Sequence, residues 1–122
     1  MPEPETRTLS VMKTITHKEK DALAKKVIDT WLDFECERRR GKPYPKKEFY
    51  AFFNSAWSYA EATRRHRLIH RTVVRIMNGL VEGLEAERKW IPGNILYDAD
   101  RLESMFFCGY DPYFEGDEPP GF

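Results

Sequence analysis

The sequence predicts an all-α protein: a small bundle of three longer helices and one short helix, with a flexible N-terminal arm and an acidic, aromatic C-terminal tail. Three observations lead to this prediction. Apolar residues recur at helical spacing through most of the chain. A capping box stands immediately before the first periodic stretch. Between Lys46 and Trp90 there is no proline, and the first glycine is Gly79.

The domain boundaries follow from composition. Residues 1–15 are rich in Pro, Thr and Glu without a clear period, which predicts a flexible arm. Residues 16–110 are expected to form one helical domain, since a chain of 122 residues with 41% apolar residues has enough material for one modest core. Residues 111–122 hold Gly and Pro too densely for a regular element, which predicts an ordered or docking tail.

The first helix has clear local signals at both ends. The sequence THKE at 16–19 is a capping box, and we expect the helix to run from there to about Arg40 and to end at Gly41. Ile28 and Leu32 lie off its inward stripe, so either the buried arc is broad or a partner covers a second surface. The inward stripe consists of Leu23, Val27, Trp31 and Phe34.

Residues 46–90 could form one helix or two. Pro45 suits the first turn of a helix. However, the apolar positions of the first half (Phe49, Phe53, Ala56, Ala60) and those of the second half (Ile69, Val73, Ile76, Met77, Leu80, Leu84) point to nearly opposite sides of a continuous helix. A break near 61–66, with Thr63 as the N-cap of a third helix, removes this conflict. The alternative is one long helix whose two ends pack against different surfaces.

The remaining elements are shorter. The sequence at 91–94, Ile-Pro-Gly-Asn, is expected to close the third helix, and a short helix is predicted over Asp98–Phe107 with Asp98 as its N-cap. Gly79 and Gly83 form a GxxxG pattern, which predicts a close crossing by another backbone or a bend. The more ordinary interpretation is a helix contact within the monomer.

The most unusual stretch is RRHRLIHR at 64–71. On a third helix beginning at Thr63, its arginines separate from its histidines. The outward stripe would consist of Arg64, Arg67, Arg71 and Arg75. This stripe would be about 16 Å long, enough to meet several phosphates or carboxylates. His66 and His70 would face the core at metal-ligand spacing, but no facing helix supplies a further ligand, so they are only weak metal candidates. Hydrogen bonds to backbone or tail carboxylates are the more ordinary role.

The net charge of zero hides an asymmetry. Residues 38–75 carry eleven Lys and Arg against two acids, whereas residues 91–122 carry seven acids against one Arg. The sequence therefore predicts a basic surface with an acidic tail that competes for it. If the first connection folds nearby, the basic surface would also include Arg38, Arg39, Arg40, Lys42, Lys46 and Lys47.

Catalytic motifs are missing from the sequence. It contains no Gly-rich phosphate loop, no GxSxG, no HExxH and no inward pair of carboxylates, and Cys36 and Cys108 belong to no Cys/His cluster. We therefore expect a non-enzymatic interaction or adaptor subunit without a cofactor, which engages acidic surfaces of a protein partner or of a second copy. The alternative is a helical protein that binds a nucleic-acid backbone, or a small subunit of a nucleoprotein complex. Without a signal sequence or a long apolar stretch, we expect a cytoplasmic protein with no membrane partner.

Overall fold

The computed structural model describes residues 15–41 and 43–111, and these residues form four α-helices. These are α1 (His17–Arg39), α2 (Lys46–Thr63), α3 (Arg71–Ala86) and α4 (Gly93–Cys108), with a single 3₁₀ turn, Arg88–Trp90, after α3. No strand occurs in the described ranges, so the predicted all-α fold is confirmed. Except for Ile15 and Asp111, the predicted arm and tail lie outside the described residues, as does Lys42.

Both ends of α1 form as predicted because their signals are local. The Thr16 hydroxyl accepts a hydrogen bond from the Glu19 amide at 3.1 Å, and the Thr16 amide donates to the Glu19 carboxylate at 2.8 Å. These bonds satisfy two amides that the helix itself leaves unpaired. At the other end, Gly41 has a φ of +96°, a conformation that favours glycine and ends the helix.

The helices are arranged so that α1 packs against α2 and α3, while α4 also packs against α2 and α3. The helices α2 and α4 run in the same direction. The hydroxyl of Tyr50, near the start of α2, donates to the Asp98 carboxylate at 2.6 Å. Near the ends of the same two helices, the rings of Tyr59 and Phe106 stack with their centroids 6.5 Å apart.

The helices α1 and α3 are also parallel to each other. Asp21, near the start of α1, meets His70 just before α3, and Arg38, near the end of α1, meets Glu87 just after α3. The four helices thus alternate in direction along the chain, and α2 and α3 occupy opposite corners of the bundle. The connection formed by residues 64–70 therefore crosses the diagonal of one bundle end.

The core is built mainly around α2, whose apolar arc faces both α1 and α4. Val27 and Phe34 of the predicted α1 stripe are buried, while Leu23 and Trp31 are partly buried against the core. Five of the six predicted inward positions of the third helix are confirmed, since Val73, Ile76, Met77, Leu80 and Leu84 are buried in α3. The sixth, Ile69, lies before α3 and is partly buried against the core. The aromatic contacts of Phe34 with Phe49 and Phe52 fasten α1 to α2.

The predicted break between the second and third helices is confirmed, but the predicted N-cap is wrong. Thr63 is the last residue of α2, and α3 begins only at Arg71. The buried Thr63 hydroxyl donates to the Tyr59 carbonyl at 2.8 Å. This hydroxyl therefore bonds back within α2, as Thr commonly does inside helices, and is not available to cap α3.

The fourth helix begins earlier than predicted, at Gly93, so Asp98 is not its N-cap. Pro92 precedes its first residue, and the Asp98 carboxylate is instead held by Tyr50. The third helix ends at Ala86, before the predicted boundary, and α3 and α4 have 16 residues each. Gly109, with a φ of +78°, terminates α4.

Candidate interaction surface

The connection between α2 and α3, residues 64–70, is called the arginine loop below. Arg64 and Arg65 form a turn after α2, and the His66 amide closes it by donating to the Thr63 carbonyl at 2.8 Å. The predicted helical wheel is therefore wrong for residues 64–70, because they do not lie on a helix. The seven-residue connection lets the apolar faces of α2 and α3 point in different directions, as the change of apolar phase predicted. Only Arg71 and Arg75 of the predicted stripe belong to α3, where both are exposed.

The arginine loop presents an apolar side chain among cations. Leu68 is 81% exposed, and Arg65, Arg67 and Arg71 near it in the chain are exposed as well. Arg64 is half-buried. An isolated exposed leucine is common on protein surfaces, but here it lies in the most arginine-rich segment of the chain. The surface therefore combines an apolar contact point with several bidentate donors for carboxylates or phosphates.

A lysine of α1 holds the middle of the loop. The Lys20 ammonium donates a hydrogen bond to the carbonyl oxygen of Leu68. Because Lys20 lies in the first turns of α1, this bond fixes the loop against the start of that helix. It also adds a further positive charge to the same end of the bundle.

The loop is fixed at its C-terminal end by a hydrogen-bonded chain from α2 to α1. The buried Tyr59 hydroxyl lies 2.8 Å from the Nδ1 atom of His70 and accepts a bond from the His70 amide at 2.8 Å. The Nε2 atom of His70 lies 2.7 Å from the Asp21 carboxylate. A neutral His70 protonated at Nε2 satisfies all these bonds, since Tyr59 then donates to Nδ1 and His70 donates to Asp21. Burial raises the pKa of Tyr59, which keeps its hydroxyl protonated for this role.

The structure gives His70 a hydrogen-bonding role that the metal hypothesis did not describe. Both ring nitrogens of His70 are engaged, and the carboxylate that its Nε2 atom contacts, Asp21, belongs to α1. Burial, and secondarily the charge of Lys20, lower the pKa of His66. Within residues 15–41 and 43–111, no group of three or more His, Cys, Asp or Glu side chains could hold a metal ion.

The other predicted basic residues that the structure describes lie at the opposite end of the bundle. The α2 helix separates them from the arginine loop by its 18 residues, or about 27 Å. Arg39, Lys46 and Lys47 are exposed there. Arg40 already forms an ion pair within the chain, since its guanidinium lies 3.4 Å from the Glu37 carboxylate. The structure therefore does not join the two groups of cations into one surface.

Arg38 is not a free cation either. Its guanidinium bonds Glu35 at 2.8 Å and Glu87 at 2.7 Å, and these contacts raise its pKa further. It lies at the rim of a cleft of about 40 Å³, near Tyr44, whose pKa burial raises to about 12. Sequence reasoning missed this ion pair because Glu87 is 49 residues from Arg38 in the chain.

The two glycines of the GxxxG pattern also line this cleft. A Cβ atom at Gly79 would lie 3.8 Å from the ring of Trp31, and one at Gly83 would have no heavy atom within 4 Å. No other backbone in the described part of the chain comes as close as the pattern predicted. The observed contact is the ordinary one, a side chain of α1 against α3.

A second polar network, also missed from the sequence, joins α2, α4 and the start of the tail. Arg101 bonds the Asp111 carboxylate at 2.7 Å, and its guanidinium lies 5.2 Å from the ring centre of Trp57. Asp111 is only 3% exposed. The left-handed Gly109 could have indicated a change of direction after α4, but nothing local identifies Arg101 as the partner of Asp111.

Comparison with protein-family models, with curated protein sequences and with solved structures gives no match. None of the helices in the described part of the chain combines the length and the apolar character that a bilayer crossing requires.

Proposed function

We propose that the protein is a cytoplasmic, non-enzymatic interaction or adaptor subunit, and that the arginine loop with Arg71 and Arg75 engages an acidic surface of a protein partner or of a second copy. The observation that carries the proposal is the exposed Leu68 among exposed arginines. The buried core of a protein interface is more apolar than its rim, and arginine is enriched in interfaces.

The energetics favour a protein partner for this arrangement. Full burial of a leucine side chain contributes about 1.5–3 kcal/mol, which Leu68 gains only against an apolar surface. Arg65 and Arg67 can form bidentate bonds to partner carboxylates beside that contact. Lys20 donates a bond to the loop and Tyr59 accepts one from the His70 amide, and both bonds hold the loop in place before binding. This reduces the entropy lost on association.

Binding to a nucleic-acid backbone is the second candidate, and it is favoured by the exposed cations of the loop and of α3. The phosphates would be contacted by Arg65, Arg67, Arg71 and Arg75, and the binding affinity would fall steeply as the salt concentration rises. Leu68 would contribute nothing to these phosphate contacts. The contribution of Leu68 therefore separates the two candidates.

The test uses two fluorescent probes, an acidic peptide of alternating Glu and Leu and a 20-nucleotide single strand, each titrated at 50 and 200 mM salt. We expect the peptide to bind, with affinity lower by about tenfold both for Arg65→Glu/Arg67→Glu and for Leu68→Ala. The charge-matched control, Arg39→Glu/Lys47→Glu at the opposite bundle end, should bind like the wild type.

Two results would contradict the proposal. Binding of the oligonucleotide that depends on Arg65 and Arg67 but not on Leu68, without peptide binding, would favour the nucleic-acid candidate. Failure to bind either probe at 50 mM salt would overturn both candidates for this surface.

A further inference from the structure

We infer that the acidic segment 112–122 of the chain docks onto the arginine loop and competes with partners for it. The competition rests on the proposed function of the loop, whereas the docking itself does not.

The last helix, α4, ends close to the arginine loop. The arginine loop, the start of α1 and the end of α4 share one end of the bundle: Lys20 bonds Leu68, and Tyr59 contacts both His70 and Phe106. The helix α4, which leads toward segment 112–122, therefore ends at the bundle end that carries the arginine loop.

The second reason is the anchor and the reach of this segment. Asp111 is buried and bonded to Arg101, which lies over Trp57. Trp57 precedes the last residue of α2 by six positions, or about 9 Å along the helix axis. Eleven further residues span up to about 36 Å when extended. The segment can thus reach all of the arginine loop from its anchor.

The third reason is chemical complementarity. Segment 112–122 contains Glu115, Asp117 and Glu118 and no Lys or Arg. These acids would pair with the exposed Arg65 and Arg67 of the loop. The adjacent aromatic residues Tyr113 and Phe114 would pack against the exposed Leu68. A tethered segment has an effective concentration in the millimolar range, so even weak contacts keep the loop partly covered.

The inference is tested in the full chain with the variant Glu115→Gln/Asp117→Asn/Glu118→Gln. The measurement is the rate of limited trypsin cleavage after Arg65 and Arg67 under native conditions. If the segment covers the loop, neutralising its acids should raise this rate about three- to tenfold. Wild-type cleavage should approach the variant's rate at 500 mM salt, where the charges are screened.

The matched control is Asp33→Asn/Glu82→Gln/Glu85→Gln, which removes three exposed acids of α1 and α3. This variant should be cleaved at the wild-type rate. A tail variant that is cleaved no faster than the wild type and the control would overturn the docking.

The acidic-peptide titration separates this inference from the proposed function. If the tail variant binds the peptide about three- to tenfold more tightly than the wild type, competition is supported. Wild-type peptide binding with unchanged cleavage and unchanged affinity in the tail variant would refute the inference and leave the proposed function standing. Faster cleavage without peptide binding by any variant would leave the docking standing and refute both the competition and the proposed function.

Discussion

The contact between Tyr59 and His70 gives the sharpest test of how the arginine loop is held. Tyr59 is fully buried in α2, and its hydroxyl both accepts from the His70 amide and bonds the His70 ring. Replacing Tyr59 with Phe keeps the ring and its packing against Phe106 but removes both hydrogen bonds. The α3 end of the loop would then lose its attachment to α2.

The magnitude follows from the two bonds. Each hydrogen bond contributes about 1 kcal/mol, and an amide left without a partner adds a desolvation cost. We therefore expect Tyr59→Phe to lower the free energy of unfolding by about 2 kcal/mol. For a chain of 122 residues the unfolding entropy is about 0.26 kcal/mol/K, so Tm should fall by about 8 °C.

The assay is thermal and urea unfolding, followed by circular dichroism, of the wild type, Tyr59→Phe, His70→Ala and the double variant. The ring bond should appear as a coupling of about 1 kcal/mol between the two substitutions. The amide bond should remain in His70→Ala, so this variant should be less destabilised than the double variant. A loss below about 0.5 kcal/mol in Tyr59→Phe, with no coupling, would refute this account of the loop's attachment.

Two further predictions concern other parts of the bundle. Gly83→Ala should raise Tm by about 4 °C, because alanine is favoured over glycine in helices by about 1 kcal/mol and its methyl group would meet no atom. Gly41→Ala should lower Tm, because Gly41 has a φ of +96°, which alanine adopts only with strain. A lower Tm for Gly83→Ala would show that another part of the chain approaches this position closely. Because the pKa of His66 is lower in the folded chain, the unfolded chain binds a proton at this residue more readily than the folded chain does. The contribution of neutral His66 to the free energy of unfolding is therefore fully present above pH 6.5 and is lost as the pH falls through the folded-state pKa. Urea unfolding between pH 7.5 and 5 should show a smaller loss of stability in His66→Gln than in the wild type, and identical pH slopes would contradict the assignment.

The features that the sequence predicted well depend on neighbouring residues. The capping box of α1, the stop at Gly41 and the buried stripe of α3 need only residues a few positions apart, so their patterns are visible in the chain. The opposed apolar phases before and after the break likewise favoured two helices within residues 46–90, with one long helix left as the alternative, and the structure has two.

The features that it missed depend on distant partners. Thr63 suits both an N-cap and a bond back to the preceding turn, and only the packed structure shows that the second is formed. The pairing of Arg38 with Glu87 joins positions 49 residues apart, and so does the pairing of His70 with Asp21. Periodicity cannot reveal such pairs, which is why Arg38 was predicted as a partner-binding cation.

The diagonal path of the arginine loop has a consequence for how its length and its chemistry can vary. Neighbouring helices in a bundle are about 10 Å apart, so opposite corners are about 14 Å apart. Seven residues span at most about 23 Å, which leaves only a few residues to spare. The side chains of residues 64–70 could therefore be exchanged, and residues could be inserted, without altering the connectivity of the bundle. A deletion that left the connection unable to span about 14 Å would instead force α3 into a neighbouring corner and produce a different topology.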